Sequence, residues 1–238
     1  MSRPLLGPGP AIAHPSPNFG PRRDGLTARL VVIHFTGMAL CDEALERLST
    51  PAHEVSAHYL IARDGGLFRL VDEHCRAWHA GHGTWGGMAD LNSRSIGIEL
   101  DNTGSAPFSA PLMDRLEALL ADILTRRQIP PEGVIGHQDF APMRKWDPGP
   151  RFDWQRLARA GLAVWPDPDA ARGAPDEAGF LAAAATFGYP VEAGLAPILA
   201  AFRARFRPWA EGPLDSHDMG AATDLATRFP VDQAAASA

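Results

Sequence analysis

The sequence predicts a mixed α/β domain over residues 1–165, a linker over 166–175 and a small all-α domain of three helices over 176–238. Three observations carry this reading. Strand-like apolar segments interleave with helical ones through the first part of the chain. The stretch "PDPDAARGAP" (Pro166 to Pro175) then interrupts the pattern with turn-forming residues. Beyond it, apolar residues recur at helical spacing in three successive segments.

Each element has its own justification. Residues 1–26 are rich in Pro and Gly and read as an ordered arm. "ARLVVIHF" (Ala28 to Phe35) is a continuous apolar run, as expected of a strand buried on both faces. "CDEALERLST" comes next as a short helix. "AHYLIAR" and "GLFRLV" flank Asp64-Gly65-Gly66, a hairpin signal. "SIGIELD" alternates, with Ile96, Ile98 and Leu100 on one face and Gly97, Glu99 and Asp101 on the other. An amphipathic helix comes after it, with Leu112, Leu116, Leu119, Leu120, Ile123 and Leu124 at helical spacing and Ser109 as N-cap. "EGVIGH" is a short strand, and "FDWQRLARAGL" closes the domain as a helix. The last three helices are expected over Asp176–Gly188, Glu192–Phe206 and His217–Phe229.

Composition narrows the function. Hydrophobic content of 45% and charged content of 21% are ordinary for a soluble globular protein. A net charge of −6 argues against a general nucleic-acid binder, which needs a basic face. No apolar run approaches the ~18 residues of a membrane span. Gly7, Pro8, Gly9 and Pro10 break up the one apolar stretch an export signal would need. A cytoplasmic protein is therefore expected, with Cys41 and Cys75 as reduced thiols. Neither nucleic acid nor membrane is an expected partner, and nothing suggests more than a monomer.

The richest segment is "GHQDFAPMRKWDPGPRFDW", Gly136 to Trp154. It holds Lys145, the single lysine in a chain whose Lys and Arg total 22. His137 and Asp147 are separated by a loop that Pro142, Pro148 and Pro150 stiffen, so both side chains can be held in fixed directions. His34, at the end of a buried strand, is the best candidate for a third ligand. Two histidines and a carboxylate leave one position of a tetrahedral zinc open, the pattern of catalytic zinc. Hydrolysis of an amide also needs a general base, for which Glu99 is suited. Lys145 is a compact positive charge for a developing oxyanion, a role an arginine fork does not duplicate. The residues alone leave plainer readings open. His34 could be a hydrogen-bonded structural histidine, Glu99 could pair with an arginine, and Lys145 could be a chance survivor.

Five motifs together resemble a family. "VVIHFTG", "VSAHYLIARDG", "AWHAGHGTW", "LNSRSIGIELDN" and the Gly136–Trp154 segment are similar to the zinc-dependent N-acetylmuramoyl-L-alanine amidases of the AmpD/AmiD type (amidase_2). That fold, a central mixed β-sheet flanked by helices, is shared with phage T7 lysozyme and the peptidoglycan recognition proteins. The resemblance covers about residues 15–160. It implies one zinc per chain on His34, His137 and Asp147, with Glu99 as catalytic glutamate and Lys145 stabilising the oxyanion. It also implies cleavage between the lactyl group of N-acetylmuramic acid and L-alanine. One departure is Ala57, where the phage-type branch has a tyrosine, so any role of that tyrosine is absent.

Trp78, His79, His82 and Trp85, with Asn92, are expected to line the substrate cleft; alternatively Trp78 and His79 are core residues or back the ligands. The C-terminal helices resemble the peptidoglycan-binding domain of AmiD-type enzymes, or else form a stabilising cap. The expected function is cytoplasmic recycling of muropeptides, including 1,6-anhydro forms. The alternatives are an envelope amidase acting on peptidoglycan in the periplasm, and a non-catalytic muropeptide receptor.

Overall fold

In a computed structural model, which describes residues 10–170 and 173–231, the chain begins with β1 (Ile12–Ala13), β2 (Phe19–Pro21), β3 (Leu30–Phe35) and α1 (Cys41–Ser49). It continues through β4 (Tyr59–Ile61), β5 (Leu67–Arg69), β6 (Cys75–Ala77), α2 (Leu91–Arg94) and β7 (Ser95–Leu100). Then come α3 (Ala110–Arg127), β8 (Val134–Gly136), α4 (His137–Phe140) and α5 (Trp154–Arg159). The C-terminal helices are α6 (Glu177–Phe187), α7 (Leu195–Phe206) and α8 (Ser216–Arg228). The expectations for residues 1–9 of the arm, 171–172 of the linker and 232–238 lie outside the described residues.

Six strands form one mixed sheet in the order β1-β5-β4-β7-β3-β8. β3 pairs in parallel with both β7 and β8, β4 pairs in parallel with β7, and β4 and β5 form the expected antiparallel hairpin. The short strands β1, β2 and β6 carry no periodicity of their own; they form by pairing with distant partners, β1 with β5 and β2 with β6. α3 starts where expected, Ser109 Oγ accepting the Leu112 amide. α7 starts three residues later than its apolar pattern. Val191–Ala193 form a 3₁₀ turn, and Gly194 at φ 84°, ψ 169° takes a non-helical conformation suited to glycine.

Alternation along the central strands divides the interior. Val31 and Ile33 of β3, with Ile96, Ile98 and Leu100 of β7, pack under the apolar stripe of α3. On the opposite face, Val32 and Ile135 share a cluster with Trp85, Phe180, Phe202 and Phe206. Leu45 and Leu48 of α1 pack on that same side against Leu60 of β4. No helix or strand lies between Arg159 and Glu177 among the described residues, yet the helices beyond share a core with the sheet. Gly188 lies against Trp85: a Cβ there would sit 2.5 Å from the indole.

One buried carboxylate ties α3 to the hairpin side. Glu73 accepts from Tyr59 Oη at 2.7 Å, from both terminal nitrogens of Arg126 and from Arg127 Nε at 2.7 Å. Burial alone would raise its pKa, but the hydrogen bonds from Arg126, Tyr59 and Arg127 hold it at about 2 against an ordinary 4.5. A depressed carboxyl contributes stability that is complete above its unfolded value and lost as pH falls through its folded one. The stability difference between wild type and Glu73→Gln should therefore be full at pH 6 and shrink as pH falls from 4.5 towards about 2. Urea unfolding at several pH values measures it.

Candidate active site

The register of the parallel strands builds the site. His34 of β3 lies opposite Glu99 of β7, both near the carboxyl ends of their strands. Ile33 pairs with Gly136 on β8's side, so the next residues on the two segments are His34 and His137. The loop after His137 is pinned by its own backbone. Gln138 N–H donates to the Asp147 carbonyl at 2.9 Å, and Arg144 and Lys145 N–H both donate to Ala141 O at 2.9 Å. Gly149 N–H donates to Gln138 Oε1 at 3.2 Å. Asp147 is thereby returned to the two histidines across the prolines that stiffen the segment.

One atom each from His34, His137 and Asp147 lies within 4.8 Å of the others, and all three residues are buried. Asp147 Oδ2 is 2.9 Å from His34 Nδ1 and 3.1 Å from His137 Nδ1. The outer nitrogens are already engaged. His137 Nε2 faces the Ala80 carbonyl at 2.9 Å, an acceptor only, so that nitrogen carries the ring proton. Arg144 Nη2 approaches the same nitrogen at 3.4 Å, but its short hydrogen bonds go to the carbonyls of His82 at 2.5 Å and Ala80 at 2.7 Å. His34 Nε2 reaches His79 Nδ1 at 3.0 Å, and His79 Nε2 reaches Ser95 Oγ at 3.3 Å, which donates to Leu91 O. With donors running outward along this series, each inner Nδ1 would present a lone pair beside Asp147 Oδ2, the form in which all three groups can share a cation.

Burial also sets the charge of these groups. Burial, reinforced by His34, lowers the His137 pKa to about 4, so its ring is neutral at pH 7. Burial also drives His79 well below its ordinary value, with His34 adding to the effect. Burial would raise Asp147, but the two imidazoles packed against it, His137 and His34, hold its carboxyl well below the usual carboxylate range. The neutral His137 ring, the His34 ring and the ionised Asp147 carboxylate meet at one point, an arrangement that a cation between them would satisfy. The outer partners match how metal-ligating histidines are commonly oriented.

A cleft of about 350 Å³ opens over this point, lined by Glu99, Lys145, Arg47, Arg144, Trp78 and Trp146 among others. Burial raises the Glu99 pKa, Asp147 adds to the rise, and His34 and Lys145 oppose it. Glu99 Oε2 is buried and has no hydrogen-bond partner among the described residues. Among the described residues no ion pair joins Glu99 to an arginine. The structure brings His34, Glu99, His137, Lys145 and Asp147 to one cleft.

The expected cleft-lining residues divide. Trp78 and His79 line it. Trp85 does not: it is 1% exposed and packs edge-on against Phe187 and Tyr189 of the C-terminal part. Asn92 is also buried, its Oδ1 accepting the His79 and Ala80 amides at 2.9 and 2.8 Å, so it holds the segment behind the histidines. His82 lines a separate depression with Asp90 and Met143. Trp146, 57% exposed, stands at the rim edge-on to Phe35 with ring centroids 4.7 Å apart. Its signal was present in "RKWDPGP", an indole between the candidate lysine and aspartate.

Known proteins share this arrangement of chain. Residues 24–150 match the Amidase_2 family, described as N-acetylmuramoyl-L-alanine amidase. The chain is 37% identical over 235 residues to the N-acetylmuramoyl-L-alanine amidase AmiD of Escherichia coli, spanning 86% of this chain and 84% of that protein. The chain belongs to the N-acetylmuramoyl-L-alanine amidases of the Amidase_2 family. The 1,6-anhydro-N-acetylmuramyl-L-alanine amidase AmpD of Citrobacter freundii is 36% identical over 161 residues, 60% of this chain and 86% of that protein. Among solved structures, E. coli AmiD in complex with the substrate anhydro-N-acetylmuramic acid-L-Ala-D-gamma-Glu-L-Lys matches with a TM-score of 0.79 and 34% identity. That match covers 90% of this chain and 92% of the AmiD chain. AmpDh3 of Pseudomonas aeruginosa matches with a TM-score of 0.78 and 32% identity, over 86% of this chain and 93% of that one. Membership in this amidase family sets aside the receptor reading, and the mixed sheet flanked by helices is the fold that the motifs implied.

Gly97 leaves no room for a side chain against the histidine behind His34. A Cβ there would fall 2.4 Å from His79 Cγ. Gly97→Ala should cost roughly 1–3 kcal/mol of stability through overpacking. In a chain of this size that is a fall in Tm of about 2–4 °C per kcal/mol, read by thermal denaturation.

Proposed function

We propose that this chain is a zinc-dependent amidase that cleaves the lactyl–L-alanine amide of muropeptides, including 1,6-anhydro forms, in cytoplasmic recycling of cell-wall fragments. His34 and His137, each through Nδ1, and Asp147 through Oδ2 would hold one zinc. The observation that carries this reading is the convergence of three buried acceptors whose outer hydrogen bonds already orient both imidazoles. A zinc held there would supply Lewis acidity, lowering the pKa of a water towards ~7 and polarising a carbonyl.

The protein's own groups supply the rest. Glu99 lies beside His34 with one carboxyl oxygen unpartnered, so it can take the proton of the attacking water and pass it to the departing L-alanine nitrogen. A carboxyl raised by burial is a stronger base, and once protonated it retains the proton until the leaving amine takes it. Lys145 lies on the same cleft wall and compensates the negative charge that develops on the carbonyl oxygen. Trp78 offers a flat face to a sugar ring or peptide plane. The substrate class is supported by the names of the relatives, AmiD with its anhydro-muropeptide complex and AmpD with its 1,6-anhydro specificity.

Compartment separates recycling from an envelope role. Cys41 and Cys75 are both free thiols, which fits a reducing compartment, and among the described residues no helix is long and apolar enough to cross a membrane. Fractionation of cells expressing the full chain tests this, and a periplasmic or envelope pool would overturn it.

Incubation with an anhydro-muropeptide should release free stem peptide, detected by mass spectrometry. Release should stop after treatment with a strong chelator and return on adding one equivalent of zinc. His137→Ala and Asp147→Ala should lose zinc and activity together. Glu99→Ala should retain zinc while turnover falls about 10²- to 10⁴-fold, the usual contribution of a general base. Lys145→Arg should be impaired although its charge is kept; wild-type turnover in that variant would remove Lys145 from the reaction.

A further inference from the structure

We infer that Arg205 and Tyr189, both from the C-terminal part of the chain, are positioning residues for the catalytic centre: acting through Asp139, they hold the corner at which His137 leaves the sheet. This rests on the metal-site reading above.

Asp139 lies two residues beyond His137 in α4 and is fully buried. Its Oδ2 accepts the Gly136 N–H at 2.8 Å and Arg205 Nη1 at 2.6 Å, and its Oδ1 accepts Tyr189 Oη at 3.1 Å. Arg205 Nη2 donates to the Val134 carbonyl at 2.9 Å, on the last strand before the corner. The guanidinium lies 4.4 Å from the Trp154 ring centroid and 4.8 Å from that of Phe206. One arginine therefore grips the chain before His137, at Val134, and after it, at Asp139. The same carboxylate also fixes Gly136, the residue in between.

Stability alone does not account for this arrangement. Both side chains of the Arg205–Asp139 pair are 0% exposed. A pair so buried loses the hydration of both charges, and well-packed apolar residues of similar volume often serve stability as well or better. What the ion pair adds is direction, since each hydrogen bond is aimed at an atom flanking His137. The corner has no slack to absorb a shift. A Cβ on Gly136 would lie 2.7 Å from Pro148 Cδ and 3.3 Å from Trp154 Cζ2. Pro148 is the residue directly after Asp147, so displacement of the corner moves two of the three ligands together. Partners that orient metal ligands from behind commonly matter about 10- to 100-fold for metal affinity or activity. Here those partners lie 50 and 66 residues beyond Asp139 in sequence, Tyr189 just after α6 and Arg205 on α7, in a part of the chain whose local pattern reads as a separate module.

The test uses the full chain with Arg205→Met, Arg205→Lys, Tyr189→Phe and the double variant Asp139→Asn/Arg205→Met. Three quantities are read for each: zinc Kd by competition with a chelator of known affinity, kcat and KM separately on an anhydro-muropeptide, and Tm. Positioning predicts that folded Arg205→Met binds zinc about 10- to 100-fold more weakly and loses kcat more than it gains KM. Tyr189→Phe, which removes one hydrogen bond and no charge, should show the same pattern at a few-fold. Excess zinc should restore part of the lost rate. Wild-type zinc affinity and kcat in folded variants, with only Tm lowered, would overturn the inference and leave the metal site standing. If Arg205→Met does not fold, Tyr189→Phe decides by the same criterion. A wild-type protein that binds no zinc would overturn the metal-site reading and this inference with it.

Discussion

The parallel pairing of β3 with β7 on one side and β8 on the other is the constraint on which the site depends. Backbone hydrogen bonds set that register residue by residue, and in doing so place His34 opposite Glu99 and one step from His137. A slip of one residue along β3 would turn His34 towards α3 and put Ile33 in the cleft. The register is protected because Val31 and Ile33 must face the leucine stripe of α3 while Val32 faces the other core. Hydrophobic burial on both faces thus fixes the positions of polar side chains that contribute nothing to it.

Polar groups at the end of that sheet are held in place by partners behind them. Asn92 carries the amides of His79 and Ala80, His79 stands behind His34, and the Ala80 carbonyl stands behind His137. The inner atoms converge on one point, and desolvation keeps His137 and His79 neutral there. The same desolvation raises Glu99, whose Oε2 has no hydrogen-bond partner among the described residues.

The C-terminal helices complete the sheet face that carries the cleft. Their aromatic residues share a cluster with Val32, Trp85 and Ile135, and Arg205 reaches through that cluster to the strand end. The similarity to AmpD spans 60% of this chain, whereas that to AmiD spans 86% of it, so relatives with this amidase fold differ in how much of the remaining chain they share. In this chain the helices and the catalytic corner are joined through a buried ion pair, in addition to apolar packing.

The sequence by itself determined the elements whose side chains alternate or recur at a fixed period: β3, the β4–β5 hairpin, β7, α3 and the three C-terminal helices. Its local motifs, together with a family resemblance, also singled out His34, Glu99, His137, Lys145 and Asp147, which the fold brings to one cleft. Those residues were legible because each sits inside a distinctive short motif. Only the tertiary structure decided the direction of side chains in "AWHAGHGTW" and "LNSRS", where irregular backbone carries no period to read. There Trp85 turns into the core against Gly188, Asn92 turns back to hold two amides, and His79 stands behind a histidine rather than at the open cleft alone. Arg205 and Asp139, 66 residues apart, show the same limit. Local sequence records a residue's propensity and its period, whereas a buried polar contact depends on which distant atom the folded chain brings within about 3 Å, and no local pattern encodes that distance.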